Sequence, residues 1–373
     1  MLEDKQLQYM VQHFKDIVGE KYVTTSIFEK IKSSLDPFPY KADRDSLPYV
    51  IVLPETKEQI SEIMKYANEN KIPVFVRGSG TQLAGSTRPH ISGIVINTRR
   101  MNKTKIYKEY MYFECGVGIR IAELSEILEK EGYFLPMWTG SKRVASIGGV
   151  VSNNTSGHIT DAVIGKPGDY ILGLEVVLPT GEIIETGTKG YRRPAGTDLG
   201  KFFVGGDGLL GIVTRVRIRL VPKLKEAYGY AIFSDNEALG RSVQRAFWEN
   251  RPIPLLMEFV SKETAEAGFK IKGLTPPPGP ILLMMAVGST QEEANYKIKE
   301  LMKSIHSENP IDAYQVVDMD EWRKLMSIRE DAAPFTMQTL KQQSIASEVV
   351  TSLPHLVDAL KYCRNAKKYY SGI

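Results

Sequence analysis

The stretch Arg77-Gly-Ser-Gly-Thr-Gln82 decides the fold of this 373-residue chain. A predicted strand, Pro73-Val-Phe-Val-Arg77, ends directly before two glycines that are one residue apart. This spacing lets successive backbone N–H groups converge on an anionic group, as in a nest. We therefore interpret the stretch as a phosphate-binding loop. On these residues alone, a tight turn after the strand is about as good an interpretation.

Two common nucleotide sites do not fit this loop. A Rossmann dinucleotide site needs a third glycine three residues after Gly80 and an acidic residue about 20 positions further on. The chain has Leu83 at the first position and Thr98 to Met101 near the second. A Walker loop needs Lys and Ser or Thr after the glycines, and neither this loop nor residues 205–211 provides them.

Two further clusters are rich in glycine and small polar residues. They are Ala145-Ser-Ile-Gly-Gly-Val-Val-Ser-Asn-Asn-Thr-Ser-Gly157 and Phe202-Phe-Val-Gly-Gly-Asp-Gly-Leu-Leu-Gly-Ile-Val-Thr214. Taken singly, the first of them is more typical of an exposed Ser/Asn/Gly loop than of a binding site. Together with residues 77–82, the clusters predict a long ligand that several backbone segments contact.

The chain around the first loop alternates between predicted strands and helices. A strand at Tyr49–Leu53, a helix at Lys57–Asn70 opened by Thr56, and the strand that ends at Arg77 form a predicted βαβ unit. The chain after Gly93 is richer in strands. The elements predicted there are strands at 93–97, 111–114, 171–178, 182–186 and 211–221, and a helix at 120–131.

The charged run Lys223-Leu-Lys-Glu226 marks a predicted domain boundary. The pattern after it is strand, helix, strand, strand, helix, strand, and this βαββαβ order is that of a ferredoxin-like module. Its two central strands are joined by a loop that contains the proline-rich run 275–280. The predicted domains are a helical leader at 1–44, with one helix from Leu7 to Leu35, a domain at 45–224 and a second domain at 225–373.

Composition narrows the class of protein. The chain is 42% apolar and 25% charged, with a net charge of +4, which predicts ordinary folded domains and no nucleic-acid partner. The longest apolar stretch, 281–287, is far short of the roughly 20 residues that cross a bilayer. Cys115 and Cys363 form no pair motif, and the five histidines show no metal-site spacing. We therefore expect a cytoplasmic protein with no metal and no iron–sulfur cluster of its own.

Six stretches of the sequence, taken in order, resemble a known family. They are RGSGTQLAG (77–85), GIVINTRRMNK (93–103), ECGVGIRIAEL (114–124), ASIGGVVSNNTSG (145–157), DYILGLEVVLPTGEIIETG (169–187) and GTDLGKFFVGGDGLLGIVT (196–214). The chain resembles the FAD-binding domain of the vanillyl-alcohol oxidase and p-cresol methylhydroxylase (PCMH) superfamily, in the branch that contains glycolate oxidase and D-lactate dehydrogenase. The resemblance implies an α+β fold, with a two-subdomain PCMH-type FAD-binding domain before a ferredoxin-like cap domain that is C-terminally shortened.

The resemblance also implies which residues bind FAD. The first loop has Thr81 and Gln82 where some relatives have a histidine that attaches FAD covalently, so we expect non-covalent FAD. The predicted cofactor-binding residues are Val76, Arg77, Gly78, Ser79, Gly80, Thr81, Gln82, Gly85, Ala145, Ser146, Ile147, Gly148, Gly149, Asn153, Ser156, Gly157, Gly211, Ile212 and Val213.

The substrate side of the site is less complete. Leu325-Met-Ser-Ile-Arg329, with Pro334, resembles the family segment whose arginine grips a substrate carboxylate, although a surface arginine paired with a neighbour is an equal alternative. His158 is either near the flavin or a surface histidine. The family's later histidine segment has no counterpart before Ile373, which leaves the base for proton removal unassigned.

Two functions follow from the resemblance. The first is an FAD-dependent dehydrogenase subunit that oxidises a D-2-hydroxy acid, such as lactate or glycolate, and passes electrons to a separate iron–sulfur or other electron-transfer protein. The second is a non-catalytic FAD subunit that relays electrons or acts as a scaffold in a redox complex. A free-standing oxidase that uses O2 has the weakest support.

Overall fold

The computed structural model describes residues 3–37, 44–158, 165–190, 196–249, 252–340 and 350–366. The chain forms two compact units, and each has its own sheets and core. The first unit comprises Met1–Gly157 and Gly165–Lys223, and the second comprises His158–Ile164 and Leu224–Ile373.

The first unit contains two main sheets, one two-stranded sheet and six described α-helices. Its helices are α1 (Asp4–Val18), α2 (Ile27–Ser33), α3 (Lys57–Glu69), α4 (Ile121–Lys130), α5 (Ile147–Asn153) and α6 (Pro167–Tyr170). Its strands are β1 (Val23–Thr24), β2 (Val50–Val52), β3 (Val74–Arg77), β4 (Ile94–Asn97), β5 (Thr104–Tyr107), β6 (Tyr112–Gly116), β7 (Tyr133–Phe134), β8 (Ile171–Val177), β9 (Ile183–Gly187), β10 (Ile212–Arg219) and β11 (Val221–Pro222).

The smaller of the two sheets carries the first glycine loop at the end of β3. Its strand order is β1-β2-β4-β3, and β2, β4 and β3 run parallel. Helix α3, which connects β2 to β3, begins at Lys57, as the sequence predicts. Thr56 caps it by accepting from the Gln59 N–H, and the Gln59 side chain completes a capping box. Apolar residues at helical spacing, including Ile60 and Ile63, are fully buried. The predicted βαβ unit is thus present, with β4 lying between its two strands.

The larger sheet of the first unit is antiparallel, with the order β5-β6-β10-β8-β9. The inner strand β8, next to the central strand β10, is buried along its whole length. A register shift between Val213 and Arg215 interrupts the pairing of β10 with β8, next to the third glycine loop. The two remaining strands, β7 and β11, pair only with each other.

The predicted helix from Leu7 to Leu35 is wrong. α1 ends at Gly19, whose φ of 92° no helix accommodates, and Val23–Thr24 then adds a strand to the smaller sheet before α2 begins. Phe14 of α1 is fully buried and its ring meets Tyr66 of α3 at 5.3 Å between centroids. The leader is therefore packed into the first unit.

The second unit has the ferredoxin-like topology that the sequence predicts. Its antiparallel sheet has the order β13-β14-β12-β15. Its elements are β12 (Lys225–Ile232), α7 (Asn236–Glu249), β13 (Leu256–Val260), α8 (Lys262–Ile271), β14 (Ile281–Gly288), α9 (Gln291–His306), β15 (Asp312–Val316), α10 (Met319–Leu340) and α11 (Leu356–Asn365).

Helix α8 lies within the connection that the sequence predicts to be a loop. Ser261 caps it by accepting from the Thr264 N–H, and the proline-rich run 275–280 follows it without regular structure. Gly268 lies against α10, because a Cβ there would be 2.4 Å from Ile328 Cγ2. The prolines therefore mark only the end of this connection.

One face of the sheet in the second unit packs on the hydrophobic core, and the other face carries Glu258. Met257 and Phe259 of β13 pack on the core that α7 and α9 cover. Because side chains alternate along a strand, Glu258 lies on the opposite face. Within the residues that the structure describes, no helix is both long and apolar enough to cross a membrane.

Candidate functional site

The first glycine loop presents a row of unpaired backbone donors. In the part of the chain that the structure describes, none of the N–H groups of residues 78–82 donates to a protein acceptor. Gly80 adopts a φ of 68°, a conformation that turns neighbouring N–H groups toward one side. The loop can therefore bind an anionic group through its backbone.

Arg77 fastens this loop to α2. Its Nη1 donates to the Ser33 carbonyl at 3.2 Å and its Nη2 to the Leu35 carbonyl at 2.6 Å. The guanidinium also lies against the loop, since a Cβ on Gly80 would be 2.2 Å from Nη2. Burial lowers the pKa of Arg77, although the charge of Asp36 acts in the opposite direction. The side chain thus positions the loop, while the Arg77 carbonyl accepts from the Thr98 N–H at 3.0 Å.

The second glycine cluster lies beside the first loop. Ser146 is the N-cap residue of α5, and a Cβ on Gly78 would be 2.3 Å from Ser146 Oγ. Gln82 Nε2 donates to Asn153 Oδ1, and Asn153 Nδ2 donates to the Gly149 carbonyl at 3.1 Å. The structure therefore brings the first two predicted clusters together.

The third cluster forms hydrogen bonds with the second and lies near Val76, in the strand that leads into the first. The Gly205 N–H donates to the Val151 carbonyl at 3.1 Å, and the Asp207 N–H donates to the Ser152 carbonyl at 2.9 Å. A Cβ on Gly208 would lie 3.9 Å from Val76 Cβ. A cavity of about 280 Å³ opens here, and its lining includes Val74, Val76, Gly208, Leu209, Gly211 and Ile212.

Not every glycine in these clusters leaves room for a ligand. A Cβ on Gly148 would be 2.7 Å from Val117 Cβ, one on Gly157 would be 2.1 Å from the Trp138 carbonyl oxygen, and one on Gly211 would be 2.7 Å from Val176 Cγ1. These glycines are required by protein packing. Gly149 differs, because its nearest neighbour would be Ser146 Oγ at 3.7 Å.

The remaining predicted cofactor residues lie around the same loops. Gly85 has a φ of 80° and its carbonyl accepts from the Arg88 N–H at 3.1 Å. Ser156 is exposed at the end of the second cluster. The apolar residues of the prediction that are buried in the first unit are Ala145, Ile147, Ile212 and Val213.

Two buried hydroxyl groups lie at the second cluster without a partner. Ser146 Oγ and Thr139 Oγ1 have no hydrogen-bond partner among the described residues. Burying a hydroxyl without a hydrogen bond costs about 1–3 kcal/mol, so a ligand that bonds these groups would be favoured. Sequence reasoning missed Thr139. The small polar run Thr139-Gly-Ser141, just before the second cluster, is the signal that could have revealed it.

A separate polar cluster lies within the second unit. Arg329 Nε donates to Glu258 Oε2 at 2.9 Å, and Nη2 reaches Oε1 at 3.5 Å. His158 Nδ1 lies 2.8 Å from the same Oε1. His158 is only 3% exposed, so its interpretation as a surface histidine is wrong. Arg329 is paired, as the alternative interpretation expects, but with a residue from a strand and not with a neighbour on its helix.

Glu258 is ionised in this arrangement. Burial by itself would raise the pKa of its carboxyl. The hydrogen bond from His158 and the positive charge of Arg329 outweigh burial and hold the pKa below its ordinary value. No group of three His, Cys, Asp or Glu side chains suited to a metal occurs among the described residues.

Comparison with known proteins identifies the family. The FAD binding domain family matches residues 48–187, and the C-terminal domain family of FAD linked oxidases matches residues 224–370. The chain belongs to the FAD-linked oxidase family. Its cofactor is accordingly FAD, as the sequence predicts.

The chain is similar in sequence to a D-lactate dehydrogenase and to a subunit of glycolate oxidase. The chain is 31% identical over 295 residues to D-lactate dehydrogenase of Archaeoglobus fulgidus, which covers 78% of this chain and 64% of the relative. It is 34% identical over 221 residues to the glycolate oxidase subunit GlcD of Bacillus subtilis, which covers 59% of this chain and 47% of the relative. The chain thus spans less than two thirds of the length of either relative.

Solved structures share the fold of this family member. Alkyldihydroxyacetonephosphate synthase superposes with a TM-score of 0.80 at 18% identity, over 97% of this chain and 74% of that one. Substrate-bound p-cresol methylhydroxylase gives 0.69 at 18% identity, over 84% and 67%. The α+β fold with a PCMH-type FAD-binding domain is therefore confirmed.

The residues of the first unit fit FAD. The cofactor combines a pyrophosphate with two flat ring systems, and the loop at 78–82 offers unpaired N–H groups to an anion. The partnerless hydroxyls of Thr139 and Ser146 and the exposed backbone at Gly149 provide further places for contact. FAD in this site would supply a two-electron acceptor that takes up hydride.

Proposed function

We propose that this protein is an FAD-dependent dehydrogenase that oxidises a D-2-hydroxy acid of the lactate or glycolate class. The observation that carries the proposal is the convergence of three glycine clusters on unpaired N–H groups and buried hydroxyls in an FAD-linked oxidase fold. The names of the relatives, D-lactate dehydrogenase and a subunit of glycolate oxidase, support the substrate class.

The predicted cofactor residues, from Val76 to Val213, hold non-covalent FAD in this proposal. The loop at 78–82 binds phosphate through its backbone. Arg329 receives the substrate carboxylate in this proposal, through the edge of the guanidinium opposite the Nε and Nη2 groups that face Glu258. The side chain of Arg329 is 34% exposed, so a small acid can reach it.

Reduced FAD must then be reoxidised. We propose that a separate electron-transfer protein, for example one with an iron–sulfur cluster, accepts the electrons, because the two cysteines of the chain cannot ligate a cluster. Cys115 is buried and its thiol pKa is raised by burial, which makes it unreactive.

The pairing of Arg329 with Glu258 favours one alternative. If this ion pair is only structural, the chain is a non-catalytic FAD subunit that relays electrons or serves as a scaffold in a redox complex. In the dehydrogenase, the guanidinium of Arg329 binds both Glu258 and the substrate carboxylate. In the alternative, it binds Glu258 alone.

Anaerobic reduction of the bound flavin tests the proposal. The protein is reconstituted with FAD and mixed without oxygen with D-lactate, L-lactate or glycolate, alone and with copurifying partners. Bleaching of the visible flavin band by a D-2-hydroxy acid is the expected result. Flavin that binds but is not reduced by any hydroxy acid, with or without partners, would support the relay or scaffold alternative.

A further inference from the structure

Helix α2 of the first unit turns its apolar side chains toward solvent. Ile27, Phe28 and Ile31 are 61%, 69% and 42% exposed, and Leu35, just after the helix, is 39% exposed. With 3.6 residues per turn, these four residues lie on one stripe that covers about 100° of the helix surface. Ser33, on the opposite side, is buried. This arrangement is the reverse of an ordinary surface helix, which buries its apolar stripe and exposes its polar side.

Hydrogen bonds at the end of α2 hold the helix in this orientation. The Ser33 carbonyl accepts from Arg77 Nη1 at 3.2 Å, and the Ser34 carbonyl accepts from Arg88 Nε at 3.2 Å. The buried Ser34 hydroxyl is satisfied as well, since it donates to the Lys30 carbonyl at 2.9 Å. Rolling the helix to bury its apolar stripe would break the bonds from both arginines. Only a second surface can therefore remove the stripe from water.

The exposed stripe has the size of an interaction site. A fully exposed large apolar residue presents about 200 Å², so the four exposed fractions correspond to roughly 400 Å² of apolar surface. Monomeric soluble proteins rarely expose a contiguous apolar patch of more than a few hundred Å² that has no function. We therefore looked for the kind of surface that the charges around α2 would accept.

Lysines flank the apolar stripe on both sides. Lys30 and Lys32 lie beyond its two edges, and Glu29, the only acidic residue of α2, pairs with Lys32 at 3.5 Å. The charge of Asp36, after the helix, acts on Arg77, which is positive. Protein interfaces are depleted in lysine, and two copies of α2 packed together would bring like charges to one interface. Exposed Phe, Ile and Leu beside lysines are instead typical of helices that lie on an anionic lipid surface.

We propose that α2 is a docking surface for anionic membrane lipid. The side chains of Ile27, Phe28, Ile31 and Leu35 insert between lipid head groups, and Lys30 and Lys32 contact the phosphate oxygens of those head groups. Binding is reversible, because its strength follows the apolar area that is inserted and this helix is short. The proposal concerns the first unit alone and is independent of the substrate that the protein oxidises.

Sedimentation with lipid vesicles tests the proposal on the full-length protein loaded with FAD. One set of vesicles contains phosphatidylcholine alone, and the other contains phosphatidylcholine and phosphatidylglycerol in equal parts. Wild type should bind the anionic vesicles at least about 10-fold more tightly than the neutral ones. This preference should decline as salt is added, because salt screens the lysines from the lipid phosphates.

Two variants separate the apolar contribution from the charge. Phe28→Ser should weaken binding to anionic vesicles by about 10-fold or more, because the inserted ring is lost. Lys32→Gln should weaken it by about 5-fold and leave binding to neutral vesicles unchanged. Trp248→Ser is the matched control, since Trp248 is an aromatic residue of similar exposure, 61%, on α7 of the second unit. It should sediment as wild type does.

A third variant reports insertion directly and does not depend on the behaviour of Phe28→Ser. Phe28→Trp keeps a ring at this position, and its fluorescence should move to shorter wavelength with anionic vesicles, beyond any change in wild type. Unchanged emission, or wild-type protein that does not bind anionic vesicles, would overturn the proposal. Analytical ultracentrifugation without lipid covers the second copy as an occupant. A dimer of wild type that Phe28→Ser dissociates would assign the stripe to a second copy and also overturn the lipid proposal.

Discussion

Gly148 and Gly149 are adjacent, yet the structure assigns them different reasons for being glycine. A Cβ on Gly148 would collide with Val117, whereas one on Gly149 would meet nothing closer than Ser146 Oγ at 3.7 Å. The sequence predicts both as cofactor residues because a run of letters cannot distinguish a glycine that packs on protein from one that leaves space for a ligand. The backbone coordinates make that distinction.

This difference predicts opposite behaviour for two alanine variants. Gly149→Ala should leave the apoprotein as stable or up to about 1 kcal/mol more stable, because alanine favours the helix α5. It should also weaken FAD binding by about 10-fold or more, as measured by titration of flavin fluorescence. Gly148→Ala should instead destabilise the apoprotein by about 1–3 kcal/mol. An unchanged FAD affinity in Gly149→Ala would remove Gly149 from the cofactor site.

Glu258 makes the stability of the second unit depend on pH. Its pKa is lower in the folded chain than the ordinary value of 4.5, so its contribution is present above that value and is lost as the pH falls through the folded pKa. Glu258→Gln should therefore lower the free energy of unfolding by about 2 kcal/mol at neutral pH, with the difference shrinking in acid. Urea titrations at neutral and at acidic pH measure this difference in the free energy of unfolding. Glu321→Gln, at an exposed site on α10, is the control. A difference that does not change with pH would contradict the assignment of the charge.

At the scale of elements, helix α2 becomes part of the cofactor site through Arg77. The guanidinium holds the carbonyl oxygens of Ser33 and Leu35, at the end of α2, and lies against the loop at Gly80. The position of the phosphate-binding loop thus depends on a segment about 45 residues earlier in the chain. The sequence predicts this segment only as a leader, since nothing in its own pattern indicates a partner.

Arg77→Lys tests this coupling. Lysine keeps the charge but cannot donate in a fork to two carbonyl groups, so the variant should be about 1–2 kcal/mol less stable and should bind FAD more weakly. Differential scanning calorimetry and flavin titration measure the two effects, and the exposed Arg99→Lys is the control. Wild-type FAD affinity in a destabilised Arg77→Lys would show that the loop keeps its shape without α2.

Elements with a local signal were predicted well, and those without one were not. Helix α3 has a capping box and a buried apolar stripe, and both are readable in the sequence. The break at Gly19 was missed because a single glycine also occurs inside helices, and α8 was missed because the prolines after it dominate the pattern. Both errors come from reading one residue type without the tertiary contacts that decide its role.

At the scale of the whole molecule, the convergence of the three glycine clusters was predictable, but the cluster around Glu258 was not. The glycine clusters form a motif that a known family shares. Glu258 is a single acidic residue in an apolar strand, and its partners His158 and Arg329 are 100 and 71 residues away in the sequence. Only the fold shows that the two predicted catalytic residues are bound to the same carboxylate.

The division of residues between the two units predicts that cofactor binding and substrate oxidation can be lost separately. Every residue predicted to bind FAD belongs to the first unit, whereas His158, Glu258 and Arg329 belong to the second. FAD at 100 times its dissociation constant should stabilise wild type by about 2.7 kcal/mol. Arg329→Met should retain this stabilisation, seen as the rise in melting temperature on adding FAD, but lose flavin reduction by D-lactate. Gly149→Ala should show the smaller rise expected from weaker binding, while its flavin, once loaded at saturating FAD, should still be reduced. Loss of FAD binding in a folded Arg329→Met would contradict this division, because it would place the cofactor's affinity in residues of the second unit.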